Sequence, residues 1–298
     1  MKMLFGLLRV HEWAKNLFIF APLLFSKRLL DREAAVAAGI VCAALCALSS
    51  SIYILNDIFD AARDREHPTK RHRPLAAGLI RPGAAAAAAL GLVGLGYGLL
   101  HAAQAPGSVW ALATGFLLLN VAYSLYLKQK VIADVLAIAV GYVLRVLIGG
   151  AVVGVVVTHW LILCTFLLAT FLGFSKRRHE LVTLGAGSHK HRPVLDLYSE
   201  EFLDRMSMLT LAMTLTCYML YTIAPDTIAR FGTDRLVYSS LIVMFALFRY
   251  LFLIHVKKLG SPVEVLYYDR QIVLAVVVWI AYVVMVVYTW PAVVGTLR

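Results

Sequence analysis

The sequence predicts an all-α integral membrane protein, folded as a single polytopic domain over residues 1–298. Two observations support this fold class. Of the 298 residues, 61% are hydrophobic and the mean hydropathy is +0.80, whereas soluble domains are about 45–50% apolar. The apolar residues also form long segments with few charges, which a bilayer accepts and a soluble core of this size does not.

Nine apolar segments are long enough to be transmembrane helices. Each is near the ~20 residues that cross a hydrocarbon core of ~30 Å. Backbone groups in lipid must bond internally, which leaves the helix as the expected form. The first segment is the least regular, because Pro22 interrupts it and charged residues flank it. The predicted spans are roughly 14–30, 34–55, 83–101, 109–127, 131–153, 159–175, 206–223, 236–256 and 270–290.

Positive charge is unevenly divided between the predicted loops. With nine spans, most of the 28 lysines and arginines fall on the side of the N-terminus. By the positive-inside rule we expect the N-terminus in the cytoplasm and the C-terminus outside, in the cell (inner) membrane. The two longest loops, after the second and sixth spans, also face the cytoplasm, where we expect the functional site. The same rule accounts for the net charge of +11 without a nucleic-acid partner.

The strongest functional motif is the acidic sequence that ends the second predicted helix. On a helix that turns 100° per residue, Asn56, Asp57, Asp60 and Asp64 lie within an arc of about 100°. Carboxylates on one face repel each other unless a cation lies between them, and Mg²⁺ prefers oxygen ligands that it shares with substrate phosphates. We therefore predict that these four residues bind Mg²⁺ and a diphosphate, with the three aspartates as catalytic residues. The alternative is a solvated helix end with ordinary surface acids.

Basic residues follow the acidic motif directly. Pro68 disfavours helical backbone at the preceding residue, so the helix is expected to end there. Lys70, Arg71 and Arg73 come next and are suited to bind phosphate oxygens. Alternatively, these three residues only anchor the loop at the cytoplasmic surface.

The loop after the fourth predicted helix carries a second basic group. Tyr126, Lys128 and Lys130 are expected to reach the same pocket as the aspartates. The alternative is an interfacial belt, in which the tyrosine lies at the headgroup level and the lysine side chains extend to water.

Four further basic residues lie in or beside the fifth and sixth predicted helices. Arg145 is inside the fifth, where an arginine needs a cavity or a partner. We interpret it as a phosphate ligand, with a structural ion pair as the alternative. Lys176, Arg177 and Arg178 leave the sixth helix as further phosphate ligands, although Lys176 and Glu180 are also spaced to pair with each other.

The start of the seventh predicted helix is acidic. Ser199 followed by Glu200 and Glu201 is typical of an N-cap with a negatively charged first turn, which requires no catalytic role. Glu200 and Asp204 are four residues apart and form the alternative hypothesis of a second metal site.

Nine predicted helices with the string N-D-I-F-D-A-A-R-D (56–64) after the second resemble the UbiA superfamily of intramembrane prenyltransferases over nearly the whole chain. Three strings are similar to its decaprenyl-phosphate phosphoribosyltransferase branch: R-V-H-E-W-A-K-N-L-F-I-F-A-P (9–22), H-P-T-K-R-H-R-P-L-A-A-G (67–78) and S-K-R-R-H-E-L (175–181). The third string is a departure from ordinary members, which carry a second aspartate-rich motif after the sixth helix.

This resemblance implies a UbiA-like fold and Mg²⁺-dependent transfer of 5-phosphoribosyl from phosphoribosyl pyrophosphate to a polyprenyl (decaprenyl-type) monophosphate, with release of diphosphate. The product is then expected to feed an arabinose donor for cell-wall glycans such as arabinogalactan. One acidic motif with several basic clusters suits substrates that carry one diphosphate and two further phosphates. The implied substrate-binding residues are Lys15, Asn56, Lys70, Arg71, Arg73, Tyr126, Lys128, Lys130, Arg145, Lys176, Arg177, Arg178 and Tyr198.

Two other functions stay open at this point. A UbiA-type prenyltransferase would move a prenyl chain from prenyl diphosphate to an aromatic or other small acceptor, and it needs a second acidic metal site. A transporter or lipid-binding membrane protein is the alternative of another class, although transporters are expected to place charges near the bilayer midplane. The sequence predicts neither the polyprenyl chain length nor the oligomeric state.

Overall fold

The structure is a computed structural model that describes residues 6–66, 70–184, 193–257, 265 and 268–289. All secondary structure in these residues is helical, which confirms the all-α fold class. The α-helices, numbered in chain order, are α1 (Ala21–Phe25), α2 (Arg32–Glu66), α3 (Pro82–Ala102), α4 (Gly107–Leu125), α5 (Ala133–Val152), α6 (His159–Leu184), α7 (Glu200–Ile223), α8 (Pro225–Phe231), α9 (Ser239–Val256) and α10 (Arg270–Val284). Short 3₁₀ helices cover Val10–Phe20, Lys70–His72, Leu127–Gln129, Pro193–Leu197 and Arg235–Tyr238, and a π-helical turn covers Met285–Thr289.

Eight helices in the described residues are long and apolar enough to cross a membrane, and they match the second to ninth predicted spans. The first predicted span differs, because it forms the 3₁₀ helix Val10–Phe20 and the short helix α1. Eleven 3₁₀ residues at roughly 2.0 Å and five α-helical residues at roughly 1.5 Å still give a length of about 30 Å. The count of nine spans and the sides of the two termini are therefore not confirmed and stay predictions.

The described residues form two compact units, and the prediction of a single domain stays a prediction. The first unit holds the helices up to Val157, together with the 3₁₀ segment that ends at Leu197. Its core contains Leu45, Leu48, Phe116 and other fully buried side chains of α2, α4 and α5. The described part of helix α2 runs to Glu66, and the stop predicted from Pro68 lies outside the described residues.

The N-terminal 3₁₀ helix is packed tightly inside the first unit. A Cβ atom added to Gly149 of α5 would lie 2.1 Å from the carbonyl oxygen of Ile19, so only glycine permits this approach. Trp13 Nε1 donates to Ser50 Oγ at 3.0 Å, and Ser50 Oγ donates to the carbonyl oxygen of Leu8 at 2.8 Å. These contacts fix the N-terminal segment against α2 and α5.

The second unit holds the helices from Thr158 to Gly185 and from Tyr198 onward. Its core is formed by α6, α7, α9 and α10, with Phe171 and Tyr250 in edge-to-face contact at 5.6 Å. The predicted N-cap of α7 is confirmed, because Ser199 Oγ accepts from the backbone N–H of Phe202 at 3.1 Å.

Candidate functional site

Asp57 lies on the last turns of α2 and is only 2% exposed. Its Oδ1 atom accepts hydrogen bonds from two arginines, Arg9 of the N-terminal segment and Arg73 of the loop after α2. The Arg73 Nη1 atom is 3.2 Å from Asp57 Oδ1 and 2.6 Å from Asp64 Oδ2, so one guanidinium joins two carboxylates of the motif. A buried carboxylate needs such partners, since an isolated charge would be strongly destabilising.

Asp60 has a separate cationic partner. Lys128 Nζ, which belongs to the 3₁₀ turn after α4, lies 2.9 Å and 3.0 Å from the two carboxylate oxygens of Asp60. The three predicted catalytic aspartates are therefore each held by a basic side chain from another segment of the first unit. Two of these cations, Arg73 and Lys128, are predicted from the sequence as phosphate ligands in neighbouring loops.

Arg9 is the third cation and was not among the predicted site residues. Its backbone is left-handed, with φ of 49° and ψ of 50°, a conformation that an arginine adopts at a cost of about 1–2 kcal/mol. Its guanidinium carbon lies 5.1 Å from the centre of the Tyr53 ring, one helical turn before Asp57. The sequence feature that points to Arg9 is its place at the start of the string 9–22, which carries the family resemblance.

The residues of this helix end fit a hard divalent cation. Asn56 Oδ1 and Asp57 Oδ2 are buried oxygens without a hydrogen-bond partner among the described residues, and such orphaned acceptors typically cost about 1–3 kcal/mol unless something binds them. Amide and carboxylate oxygens are the ligands that Mg²⁺ takes in proteins. Within the described residues, however, no three His, Cys, Asp or Glu side chains are gathered closely enough to hold a metal. The four-residue Mg²⁺ site accordingly stays a prediction.

Three other predicted ligands of the first unit contact residues other than the aspartates. Tyr126 is exposed, and Lys130 Nζ lies 5.0 Å over its ring, which agrees with the alternative of an interfacial pair. Arg71 is exposed, and its Nε atom is 3.4 Å from His72 Nε2. The side chain of Lys70 lies outside the described part of the chain.

Arg145 is buried in α5 and contacts neutral groups. Its Nε atom donates to Asn16 Oδ1 at 2.8 Å, and its Nη1 atom donates to the carbonyl oxygen of Gly141 at 2.9 Å. No described carboxylate is within ion-pair distance, so the alternative of a structural ion pair finds no partner in the part of the chain that the structure describes. Lys15, next to Asn16 in sequence, is 2.5 Å from Glu12 Oε2.

Two of the predicted basic ligands of the second unit, Arg177 and Arg178, are engaged with acids of the same unit. Arg178 donates from Nε to Asp204 Oδ1 and from Nη2 to Glu200 Oε1, both at 2.7 Å. Arg177 is buried and bonds to Glu180, the residue for which the sequence analysis considered Lys176 as the partner. These contacts stabilise the junction of α6 and α7.

Two further residues complete this cluster of the second unit. His255 Nε2 of α9 lies 3.1 Å from Asp204 Oδ1, so Asp204 joins three helices. Tyr198 is buried, and its ring stacks on Phe202 with a centroid distance of 5.9 Å. Glu200 and Asp204 share Arg178 as an ion-pair partner, and the second metal site at these two carboxylates stays a hypothesis.

Helices of membrane-spanning length and an acidic helix end bound by cations fit a transferase embedded in a membrane. Residues 17–268 match the UbiA prenyltransferase family, and the chain belongs to that family. This finding confirms the resemblance inferred from residues 56–64 and the fold class that it implied.

Several known proteins are similar over most of the chain. The decaprenyl-phosphate phosphoribosyltransferase of Corynebacterium glutamicum is 27% identical over 289 residues, which cover 95% of this chain and 86% of the relative. The enzyme of the same name from Mycolicibacterium smegmatis is 28% identical over 288 residues, covering 91% and 88%. A UbiA homologue from Archaeoglobus fulgidus, solved with DMAPP and Mg²⁺, has the same fold with a TM-score of 0.71 at 18% identity, covering 96% of this chain and 99% of that one.

Proposed function

We propose that this protein transfers a 5-phosphoribosyl group from phosphoribosyl pyrophosphate to a polyprenyl monophosphate, with release of diphosphate. The observation that carries the proposal is the set of three aspartates on α2, each held by a basic side chain. Such a site offers oxygens for a metal and cations for phosphates at the same place. Relatives at 27% and 28% identity are named decaprenyl-phosphate phosphoribosyltransferases, which supports this choice of substrates.

The donor diphosphate is proposed to bind at the end of α2. Asn56, Asp57, Asp60 and Asp64 would hold Mg²⁺, which when bound stabilises the negative charge that develops on the leaving diphosphate. Arg9, Arg73 and Lys128, which bond to these carboxylates in the structure, would donate to the phosphate oxygens of the donor, at the position where charge accumulates.

The bond changes need no protein nucleophile. The bond between C1 of the ribose and the diphosphate oxygen breaks, and its electron pair leaves with the diphosphate. An oxygen of the lipid phosphate forms the new bond to C1 from the opposite face. A phosphate monoester is already ionised at neutral pH, so the protein has only to orient the two substrates and exclude water. The reaction would thus rely on positioned cations and on carboxylates that bind the metal.

Ordinary prenyl transfer is the nearest alternative, and one contact argues against it. That reaction, as the resemblance implies it, uses a second acidic metal site, and Glu200 with Asp204 was the only local choice. Arg178 is 2.7 Å from both of these carboxylates and pairs with them within the second unit. The second unit therefore supports an ion-paired junction in place of a metal site.

The location and wider role follow from the same proposal. We propose a multi-pass protein of the cell (inner) membrane whose active site faces the cytoplasm, because the predicted cytoplasmic loops carry most of the lysines and arginines. The product, a polyprenyl-phosphate-linked phosphoribose, would feed the synthesis of an arabinose donor for cell-wall glycans such as arabinogalactan.

The test uses detergent-purified protein, Mg²⁺, phosphoribosyl pyrophosphate labelled in the ribose, and a polyprenyl monophosphate. We expect label to enter the organic phase, and we expect EDTA to abolish this transfer. A parallel reaction with labelled prenyl diphosphate and an aromatic acceptor measures the alternative. Absence of ribose transfer in a preparation that transfers the prenyl group would overturn the proposal.

A further inference from the structure

Arg145 is a buried cation whose described hydrogen-bond acceptors carry no charge. Its side chain is 6% exposed, and its two hydrogen-bond acceptors, Asn16 Oδ1 and the Gly141 carbonyl, are both neutral. In the described ranges no carboxylate lies within ion-pair distance of it. An arginine inside a membrane bundle remains charged, and its burial without an anion is strongly unfavourable. The position therefore calls for an anionic ligand.

Two aromatic rings hold the guanidinium in a fixed orientation. Its central carbon lies 4.5 Å from the centre of the Phe116 ring and 5.4 Å from that of Tyr142. Ring faces attract a desolvated guanidinium without neutralising it. Together with the bonds to Asn16 and Gly141, these contacts orient the arginine before any ligand arrives, which reduces the entropy lost on binding.

Lys15 provides a second cation beside the first. Lys15 and Arg145 share the same polar surroundings, namely Tyr53, Tyr142 and Glu12. Glu12 lies 2.5 Å from Lys15, so the group of three charged side chains keeps a net positive charge. The Lys15 side chain is 24% exposed, which shows that open space reaches this otherwise buried group. Two cations and a phenol beside such space are suited to a phosphate.

This cationic group is separated from the aspartates but connected to them by polar side chains. Asn16 Nδ2 lies 3.2 Å from Cys46 Sγ, and Cys46 precedes Asp57 by eleven residues on α2, or about 16 Å along the helix axis. Tyr53 lies between these levels on α2, with the guanidinium of Arg9 over its ring. Tyr53 is four residues, or about 6 Å along the helix axis, before Asp57, so the polar surroundings of Arg145 reach closer to the aspartates than the level of Cys46.

We infer that Arg145 and Lys15 form a second phosphate subsite of the first unit, which takes a phosphate monoester while the end of α2 takes the diphosphate. This inference rests on the proposed function. The monoester has two possible sources, the 5-phosphate of the donor and the phosphate of the lipid acceptor.

The experiment compares wild type with Arg145→Gln, Arg145→Lys and Lys15→Gln, and Arg205→Gln serves as the control because Arg205 is exposed and pairs with the exposed Glu201. Initial rates are measured with phosphoribosyl pyrophosphate and with ribosyl 1-pyrophosphate, which lacks the 5-phosphate. Wild type should favour the donor that carries the 5-phosphate. In Arg145→Gln this preference should fall about 10- to 100-fold, the usual loss for a charge-assisted hydrogen bond.

The two sources of phosphate are distinguished by KM. A rise in KM for the donor alone assigns the subsite to the 5-phosphate, and a rise in KM for the lipid acceptor alone assigns it to the lipid phosphate. Unchanged KM values and an unchanged donor preference in Arg145→Gln and Lys15→Gln, with normal turnover, would overturn the inference. If Arg145→Gln does not fold, the same comparison is made with two other variants. Arg145→Lys keeps the positive charge at position 145, and Lys15→Gln removes the neighbouring positive charge.

A binding measurement separates failure of this inference from failure of the proposed function. Ribose 5-phosphate and inorganic phosphate are added to the purified protein without acceptor, and thermal unfolding is followed with ribose as the uncharged control. Stabilisation by both phosphates, lost in Arg145→Gln and kept in Arg205→Gln, supports the subsite even if no phosphoribosyl transfer is found. If the phosphates stabilise wild type and Arg145→Gln equally, the inference is refuted even if phosphoribosyl transfer is found.

Discussion

Lys128 Nζ lies 2.9 Å and 3.0 Å from the two carboxylate oxygens of Asp60, 68 positions earlier in the chain. This contact joins the turn after α4 to the acidic end of α2. It is balanced in charge and partly exposed, so it holds the carboxylate in place without the burial that Asp57 has. Asp60 is therefore the aspartate whose present partner a metal would displace most readily.

Asp60→Asn is expected to lower phosphoribosyl transfer by about 10²–10³-fold, because an amide offers Mg²⁺ less negative charge than a carboxylate. The protein should still fold, since Lys128 can donate to the amide oxygen. The measurement is organic-phase label per unit of purified protein, with the exposed Asp226→Asn as the control. Wild-type turnover in Asp60→Asn would remove this residue from the site.

Arg73→Gln is expected to lower the Tm of the metal-free protein and to increase the rise in Tm that Mg²⁺ produces. Arg73 screens the repulsion between Asp57 and Asp64, and its charge-assisted bonds are worth about 1.5–3 kcal/mol before solvent screening. Each lost kcal/mol should lower Tm by roughly 2–4 °C. A divalent cation that binds the same carboxylates should restore more of this stability in the variant than it adds to wild type.

The measurement for Arg73→Gln is thermal unfolding in detergent across a Mg²⁺ series. Arg81→Gln is the matched control, because Arg81 is exposed and lies in the same loop. Identical Mg²⁺ responses in wild type and Arg73→Gln would mean that the metal does not bind at these carboxylates.

Asp204→Asn is expected to lower Tm without changing the Mg²⁺ concentration that gives half-maximal turnover. Asp204 accepts from Arg178 and from His255, so its loss loosens the contact between α6, α7 and α9. Glu201→Gln is the control, since Glu201 is exposed and pairs with the exposed Arg205. A large increase in the required Mg²⁺ concentration would instead support the second metal site.

Gly149→Ala is expected to destabilise the protein by about 1–3 kcal/mol, the usual range for overpacking. The added Cβ would lie 2.1 Å from the Ile19 carbonyl oxygen, and a backbone atom cannot move away without shifting the whole 3₁₀ helix. Gly91→Ala is the matched control, because nothing lies within 4 Å of a Cβ at that position. Equal Tm values for the two variants would show that the N-terminal segment does not pack on α5.

Asp269 is expected to contribute stability that depends on pH. The hydrogen bond from Arg249 and the backbone N–H of Ile272 hold the pKa of this carboxyl below its ordinary value. A lowered pKa in the folded state means that the stabilisation is present above the unfolded pKa and is lost as the pH falls through the folded one.

The Asp269 contribution is measured as Tm against pH for wild type and Asp269→Asn. Wild type should be the more stable variant at pH 7, and the difference should shrink as the pH falls below about 4. A difference between the two proteins that does not change with pH would show that the ion pair with Arg249 has no role in stability.

The sequence determined the fold class and the acidic motif. Hydrophobic segments of membrane-spanning length indicate a protein that folds in a lipid bilayer. Eight of the nine predicted spans appear as helices. The spacing of Asp57, Asp60 and Asp64 predicts one helix face, because helical rotation depends only on residue number. Membership of the UbiA family could also be inferred from the string 56–64 and is confirmed.

Only the tertiary structure decided which cation meets which carboxylate. Arg9 precedes Asp57 by 48 positions and Lys128 follows Asp60 by 68, and no local rule relates residues so far apart. The same holds for Arg178, which resembles a phosphate ligand in sequence but bonds to Glu200 and Asp204 in the folded chain. Charged side chains are recognisable in a sequence by type, but their partners depend on how helices pack, and packing is a property of the whole chain.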